Sequence, residues 1–232
     1  MKKKFIVLVA ALFLLSALLV SCSPAALTAD QIIQKMAENG KNLKTGHLQM
    51  DMNMSVSGQS VKITSTGIFE NPDKFYLTVS MLDKSMQMLS LSPTEIYQRA
   101  SETDAWVKSD ASVSGQAGSM YDFTKNPEQL LKYYKNAKLL PDENVDGSTS
   151  LYHVTFELDV AEMMKAGDVS EIVLQAVEFK GPAQVEAWIG KTDFFTRKQT
   201  SKFTIASGGQ EVTMDILVAM TEINKPVEIP TP

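Results

Sequence analysis

From Leu48 to Val56 apolar and polar residues alternate without a break, with Leu48, Met50, Met52, Met54 and Val56 on one side and Gln49, Asp51, Asn53 and Ser55 on the other. Side chains of a strand point to opposite faces with period two, so this run specifies a half-buried β-strand and cannot form the stripe of an amphipathic helix. The theme recurs. After Gly58-Gln59, the run Val61 to Phe69 completes a hairpin with the first. Phe75 to Leu82, Met86 to Leu91, Thr94 to Arg99 and Ala105 to Lys108 follow, separated by Asn71-Pro72-Asp73, Asp83-Lys84, Ser92-Pro93 and the turn residues Ser101 to Asp104. The second half adds Leu151 to Leu158, Val185 to Ile189, Thr196 to Ile205 and Glu211 to Met220, the last two joined at Ser207-Gly208-Gly209. Connections this short join antiparallel neighbours, and the count is roughly ten strands.

Helical signals are few. Thr28 with Gln31 three residues on forms a capping-box pattern, Ile32, Ile33 and Met36 share a face, and Asn39-Gly40 is a stop. A second helix begins at Asn126-Pro127-Glu128-Gln129, with Leu130, Leu131 and Tyr134 at helical spacing, and a third near Asp159, with Glu162, Met163 and Met164. Val169 to Val177 fits a short helix or a strand equally. An antiparallel sheet of this size curls, and its alternating strands leave one apolar face to be covered. The economical arrangement is an α+β domain, with a large curved antiparallel sheet wrapped around a few helices and a groove between the layers.

The apolar rows are rich in methionine. Met50, Met52, Met54, Met81, Met86, Met88, Met214 and Met220 all fall on expected strands, and Val212, Ile216 and Val218 extend one row while Val61 and Ile63 extend another. Methionine is unbranched and polarizable, suited to surfaces that repack around variable apolar ligands. A core beneath the helices is the other use of the same residues. Met50, Met52, Met54, Val61, Ile63, Met81, Met86, Met88, Val212, Met214, Ile216 and Val218 are therefore the candidate ligand-binding residues, with Trp106 added as a wall or rim. Trp106 and Trp188 serve equally as packing.

Catalysis finds little support. One cysteine and two distant histidines leave no basis for a disulfide framework or a zinc centre. His47 and His153 are not accompanied by a nucleophile motif and read as surface or strand-face residues. Gly115-Gln116-Ala117-Gly118 and Ser207-Gly208-Gly209 precede no capped helix, so they do not read as phosphate cradles. Asp142-Glu143 reads as a solvated turn. The polar segment from Ser109 to Met120 is either a plain loop or a flap at an entrance. The reading is of a non-enzyme without cofactor or metal, and with 22 Lys plus Arg against 27 Asp plus Glu it is no nucleic-acid binder.

The N-terminus has its own anatomy. Lys2, Lys3 and Lys4 precede an apolar run from Phe5 to Val20 whose only polar member is Ser16, and the run meets Leu19-Val20-Ser21-Cys22. This resembles a bacterial lipoprotein signal peptide, whose lipobox ends in an invariant cysteine, and the chain's only cysteine stands there. The resemblance implies cleavage after residue 21 and diacylation of Cys22, with 22–28 as a short membrane tether and 29–232 as one domain. Cleavage would leave 211 residues with 19 Lys plus Arg against 27 Asp plus Glu, a formal charge of -8. Two acyl chains anchor a protein without a spanning helix. From Ser23 to Thr28 the tether reaches about 20 Å at roughly 3.5 Å per residue.

The lipobox, the capped first helix, the long meander, Ala105-Trp106-Val107 after an acidic turn, and the closing Asn224-Lys225-Pro226-Val227-Glu228-Ile229-Pro230 together resemble the LolA-like superfamily of lipoprotein carriers. Within it the chain is similar to lipid-binding lipoproteins of the LppX and LprG type. That resemblance implies an incomplete barrel packed on helices, with an apolar cavity that accepts acyl chains during transfer within the cell envelope. The implied partners are a lipid or other long apolar ligand and, through Cys22, the extracytoplasmic side of the cell membrane. The alternative is a sensor or structural lipoprotein that binds an envelope protein through the same fold.

Overall fold

A computed structural model describes residues 26–109, 127–145, 150–165 and 178–232. The described residues form helices α1 (Ala29–Gly40), α2 (Pro127–Tyr133) and α3 (Val160–Lys165). Their strands are β1 (Thr45–Val56), β2 (Gln59–Glu70), β3 (Lys74–Met81), β4 (Lys84–Ser92), β5 (Glu95–Arg99), β6 (Val107–Lys108), β7 (Tyr134–Glu143), β8 (Leu151–Leu158), β9 (Glu178–Phe179), β10 (Ala183–Ile189), β11 (Thr196–Ser207) and β12 (Gln210–Thr221). All belong to one antiparallel sheet in the order β6-β5-β4-β3-β2-β1-β12-β11-β10-β8-β7, with β9 beside β11, and the two edges do not join.

Helix α1 starts where the capping box placed it. Thr28 Oγ1 accepts from the Gln31 N–H at 3.2 Å, and Gln31 Oε1 accepts from the Thr28 N–H at 2.9 Å. From its buried side, Ile32, Ile33 and Met36 cluster with Val154 and Phe156 of β8 and with Val185, Ala187 and Ile189 of β10. Fully burying side chains such as Ile32 and Ile33 contributes about 1.5–3 kcal/mol each. The face of the sheet toward α1 is called the inner face here. A second cluster, Leu43, Phe69, Phe75 and Leu77 with Leu48, Met88 and Met220 against it, fills the inner face at one end, the base. Gly46 belongs to this end because a Cβ there would stand 2.9 Å from the Phe69 ring.

The base is tied by the last residues of the chain. Asn224 Oδ1 accepts from the Lys44 N–H at 2.7 Å, the Asn224 N–H donates to the Thr45 carbonyl at 2.9 Å, and the Thr45 hydroxyl donates to the Lys225 carbonyl at 2.6 Å. Asn224 sits at φ 60, a left-handed conformation that asparagine tolerates better than most residues. The Asn-Lys-Pro segment thus clamps the α1–β1 connection.

Three expectations need correction. Tyr134 opens strand β7 instead of continuing α2, and Asp142-Glu143 lies in that strand, not in a turn. The register of β7 on β8 shifts twice, between Lys135 and Lys138 and between Leu140 and Glu143, which erases the alternation that marks a strand. Pro141 is accommodated because β7 is an edge strand. The two-residue β9 carries too short a pattern to be read. The strand expected over Ala105 to Lys108 is reduced to Val107–Lys108, with Ala105 and Trp106 outside it. Asn126, Val169 to Val177, Gly115 to Gly118 and most of the segment from Ser109 to Met120 lie outside the described residues, as do the expected signal peptide and Cys22.

Candidate apolar binding face

Continuous registers across β12, β1, β2 and β3 align the apolar rows. Met214, Met54 and Val61 stand side by side; so do Ile216, Met52, Ile63 and Met81, and Val218, Met50, Ser65 and Val79. Residues paired across an antiparallel sheet share a face. The first two of these rows reach the helix side through Phe203 and Val185, both of which pack in the α1 core. Met86 pairs with Val79 and Met88 with Leu77, so both lie on the inner face too, and Val212 pairs with Val56.

From Val212 to Met220, Leu48 to Val56, Val61 to Phe69 and Phe75 to Met81, every inner-face residue is apolar except Ser65 and Gly67. Across four neighbouring strands, this stretch of the face carries no charge. Its coverage is partial. Met52 is 8% exposed, whereas Met50, Met54, Val61, Ile63, Met86, Met88, Val212, Met214, Ile216 and Val218 are half-buried, and Met81 is 47% exposed. A closed core buries such residues fully, so a half-covered apolar surface has capacity for more apolar contact.

Ser65 is the polar exception. It is 2% exposed, and its Oγ has no hydrogen-bond partner among the described residues. A buried hydroxyl without a partner costs about 1–3 kcal/mol. No signal in the sequence marks it, since serine inside an alternating strand reads as an ordinary interruption.

Trp106 is not with the others. Its ring meets Tyr76 edge-on at 6.3 Å, and the Arg99 guanidinium lies 4.4 Å from its centroid. Tyr76 pairs with Leu89 and Ile68 and therefore points to the outer face, where Trp106 covers the sheet. The strand expected at Ala105-Trp106 would have aimed this side chain by alternation; a turn instead folds it over the opposite surface.

Trp188 is also on the outer face, packed against His153 with ring centroids 4.6 Å apart and Lys198 Nζ 4.3 Å above it. His153 is buried, with Nε2 2.6 Å from Glu186 Oε1 and Nδ1 3.4 Å from Glu143 Oε2, and Glu143 also accepts from Trp188 Nε1 at 2.8 Å. Both ring nitrogens face carboxylates, and no hydroxyl or thiol among the described residues is bonded to them, so the cluster reads as a stacked and hydrogen-bonded brace. His47 is exposed. A hollow of about 430 Å³ lies on the outer face, lined by Asp51, Asn53, Gln184, Glu186, Lys202 and Asp215 among others.

At the far end of the inner face Tyr134 donates to Asp30 Oδ1 at 2.9 Å. Partial burial and this hydrogen bond, followed by the carboxylate's charge, raise the Tyr134 phenol above its ordinary range. The contact holds the start of α1 at the end of the sheet opposite the base. No described helix is long and apolar enough to cross a membrane, and no group of three or more metal-ligating side chains occurs among the described residues.

LprF from Mycobacterium bovis is similar to this chain at a TM-score of 0.55 and 16% identity, over 88% of this chain and 96% of LprF. A LolA superfamily protein from Nitrosomonas europaea aligns over 88% of this chain and 96% of its own, at 10% identity and a TM-score of 0.32. MucB in complex with MucA from Pseudomonas aeruginosa aligns over 88% of this chain and 61% of that chain, at 11% identity and a TM-score of 0.39. The likeness to LprF shows a shared fold, an open antiparallel sheet around short helices. No curated protein matches the sequence. A family model does match, from residue 28 to residue 232, and the chain belongs to that family, described as a family of unknown function (DUF6612).

Proposed function

We propose that this protein is a membrane-anchored, extracytoplasmic lipoprotein that binds a lipid or another long apolar molecule against the inner face of its sheet, for transport or transfer within the cell envelope. The observation that carries this reading is the charge-free, half-covered inner surface spanning β12, β1, β2 and β3. The protein acts by binding and needs no cofactor. The mature charge of -8 and the absence of Lys or Arg from those rows leave a buried anionic head group without a partner, which would cost several kcal/mol. Tails therefore supply the affinity and the head group stays in solvent.

A series of fluorescent fatty acids of increasing length, titrated at low and high salt, tests this. Affinity rises by at most about 0.8 kcal/mol per added methylene, until the face is filled, and changes little with salt. Binding that ignores chain length and collapses with salt overturns the apolar reading. If no fatty acid binds, and no lipid co-purifies with the unacylated body in native mass spectrometry, the fold serves a protein partner as a sensor.

A further inference from the structure

Eight of the chain's 13 methionines stand on the inner face, two in each of four consecutive rows. Toward the base, Met214 and Met54 share one row, Met52 and Met81 the next, and Met50 and Met86 the third. Met220 and Met88 share the fourth, where both pack against the base cluster. Met81 is exposed, Met52 is buried, and the other six are half-buried. Off this face, Met36 and Met163 are buried in the α1 core. Accessible thioethers are thus gathered where an apolar ligand is proposed to lie.

Hydrogen peroxide oxidises a thioether in one step. The sulfur lone pair attacks a peroxide oxygen, the S–O bond forms as the O–O bond breaks, sulfur gives up two electrons, and the peroxide leaves as water. The sulfoxide turns a flexible apolar side chain into a polar one. Its oxygen is a hydrogen-bond acceptor that needs a donor. On the inner face of β12, β1, β2 and β3 the only side-chain donor is the buried Ser65 hydroxyl, and the backbone N–H groups of these interior strands face their neighbours. Water alone can satisfy a sulfoxide there, and an apolar ligand would displace that water.

We infer that these rows are a reversible oxidation site that controls binding: hydrogen peroxide converts the methionines of the empty face to sulfoxides, and the oxidised face no longer takes an apolar ligand. The inference rests on the apolar-ligand reading of the proposed function. A bound ligand covers the same sulfurs, so occupancy and oxidation oppose each other. Two thiols reverse the change, the sulfoxide oxygen leaving as water while the thiols join in a disulfide; methionine sulfoxide reductases carry this out, one enzyme for each sulfoxide epimer.

The test uses the chain from residue 22 onward, which holds every described residue, with Cys22→Ser so that no thiol competes. It is freed of lipid and treated with hydrogen peroxide. Peptide mass spectrometry should find oxygen added first at Met81, then at Met54 and Met214, and last at Met36, Met52 and Met163. Affinity for a fluorescent fatty acid should fall about tenfold or more once Met81, Met54 and Met214 are oxidised, the effect of burying an acceptor without a donor. The cooperative melting transition should survive, and sulfoxide reductases of both epimer specificities with dithiothreitol should restore binding. Fatty acid present during the treatment should slow oxidation at Met54 and Met214. In a variant combining Met50→Leu, Met54→Leu, Met81→Leu, Met86→Leu and Met214→Leu, swaps that nearly conserve volume, the affinities before and after peroxide should be equal. Unchanged affinity of the oxidised protein, a loss that the reductases do not reverse, a lost melting transition, or the full loss in the combined variant overturns the inference. If the untreated protein binds no fatty acid, the proposed function falls and the oxidation control with it; binding that survives peroxide removes the control alone.

Discussion

The side-chain carbonyl of Asn224 accepts the backbone N–H of Lys44 at 2.7 Å, across 180 residues of sequence. The same side chain donates to the Asn42 carbonyl at 3.2 Å, so one residue near the end of the chain satisfies two backbone groups in the connection from α1 to β1. Asn224→Ala should lose both bonds and retain an unfavourable positive φ, for a cost of about 1–3 kcal/mol. Asn224→Asp keeps the acceptor and should lose about half as much. Denaturant midpoints of the two variants, compared at equal slope, check the order; unchanged midpoints would show that the clamp contributes nothing.

Ser65→Ala separates ligand binding from packing. Removal of a buried hydroxyl without a partner should stabilise the ligand-free protein by about 1 kcal/mol. If the hydroxyl meets an oxygen of the bound molecule, the same variant should bind that molecule roughly fivefold more weakly, one ordinary hydrogen bond. Calorimetry on delipidated protein, followed by titration, measures both. Stabilisation with unchanged affinity would remove Ser65 from the binding face.

Met54 and Met52 should respond differently to added volume. Met54 is half-buried toward the end opposite the base, so Met54→Trp should fill the ligand's space and abolish lipid co-purification while the melting temperature holds. Met52 is buried, and overpacking by Met52→Trp should cost about 1–3 kcal/mol. Equal loss of stability at both positions would mean that the inner face is ordinary core.

Cys22→Ala should shift the protein from the membrane fraction to the soluble or unprocessed fraction, since no other residue can carry a thioether. Detergent-dependent retention of the variant in membranes would refute the lipid anchor.

The rows Leu48 to Val56 and Val212 to Met220 were legible because strict alternation survives only where the register is unbroken, and β1 with β12 pairs over ten consecutive positions. The capping box of α1 was legible for a similar reason, because its bonds are local. Illegible features depend on distant partners. The shifted register of β7 disguises a strand as a polar loop, and Trp106 went to the wrong face because a turn, not alternation, aims it. The orphaned Ser65 hydroxyl shows only when three strands are aligned above it.

The pairing of β1 with β12 also governs assembly. The first strand made finds its central neighbour only when the last has been delivered, some 160 residues later by the Met54 and Met214 partners. Until then β1–β6 and β7–β11 are two half-sheets with bare inner strands, and joining ends so far apart in sequence is slow. In an exported chain of the kind proposed above, such lateness is an advantage, because the two halves pair only once β12 and the Asn224 clamp behind it have both been delivered.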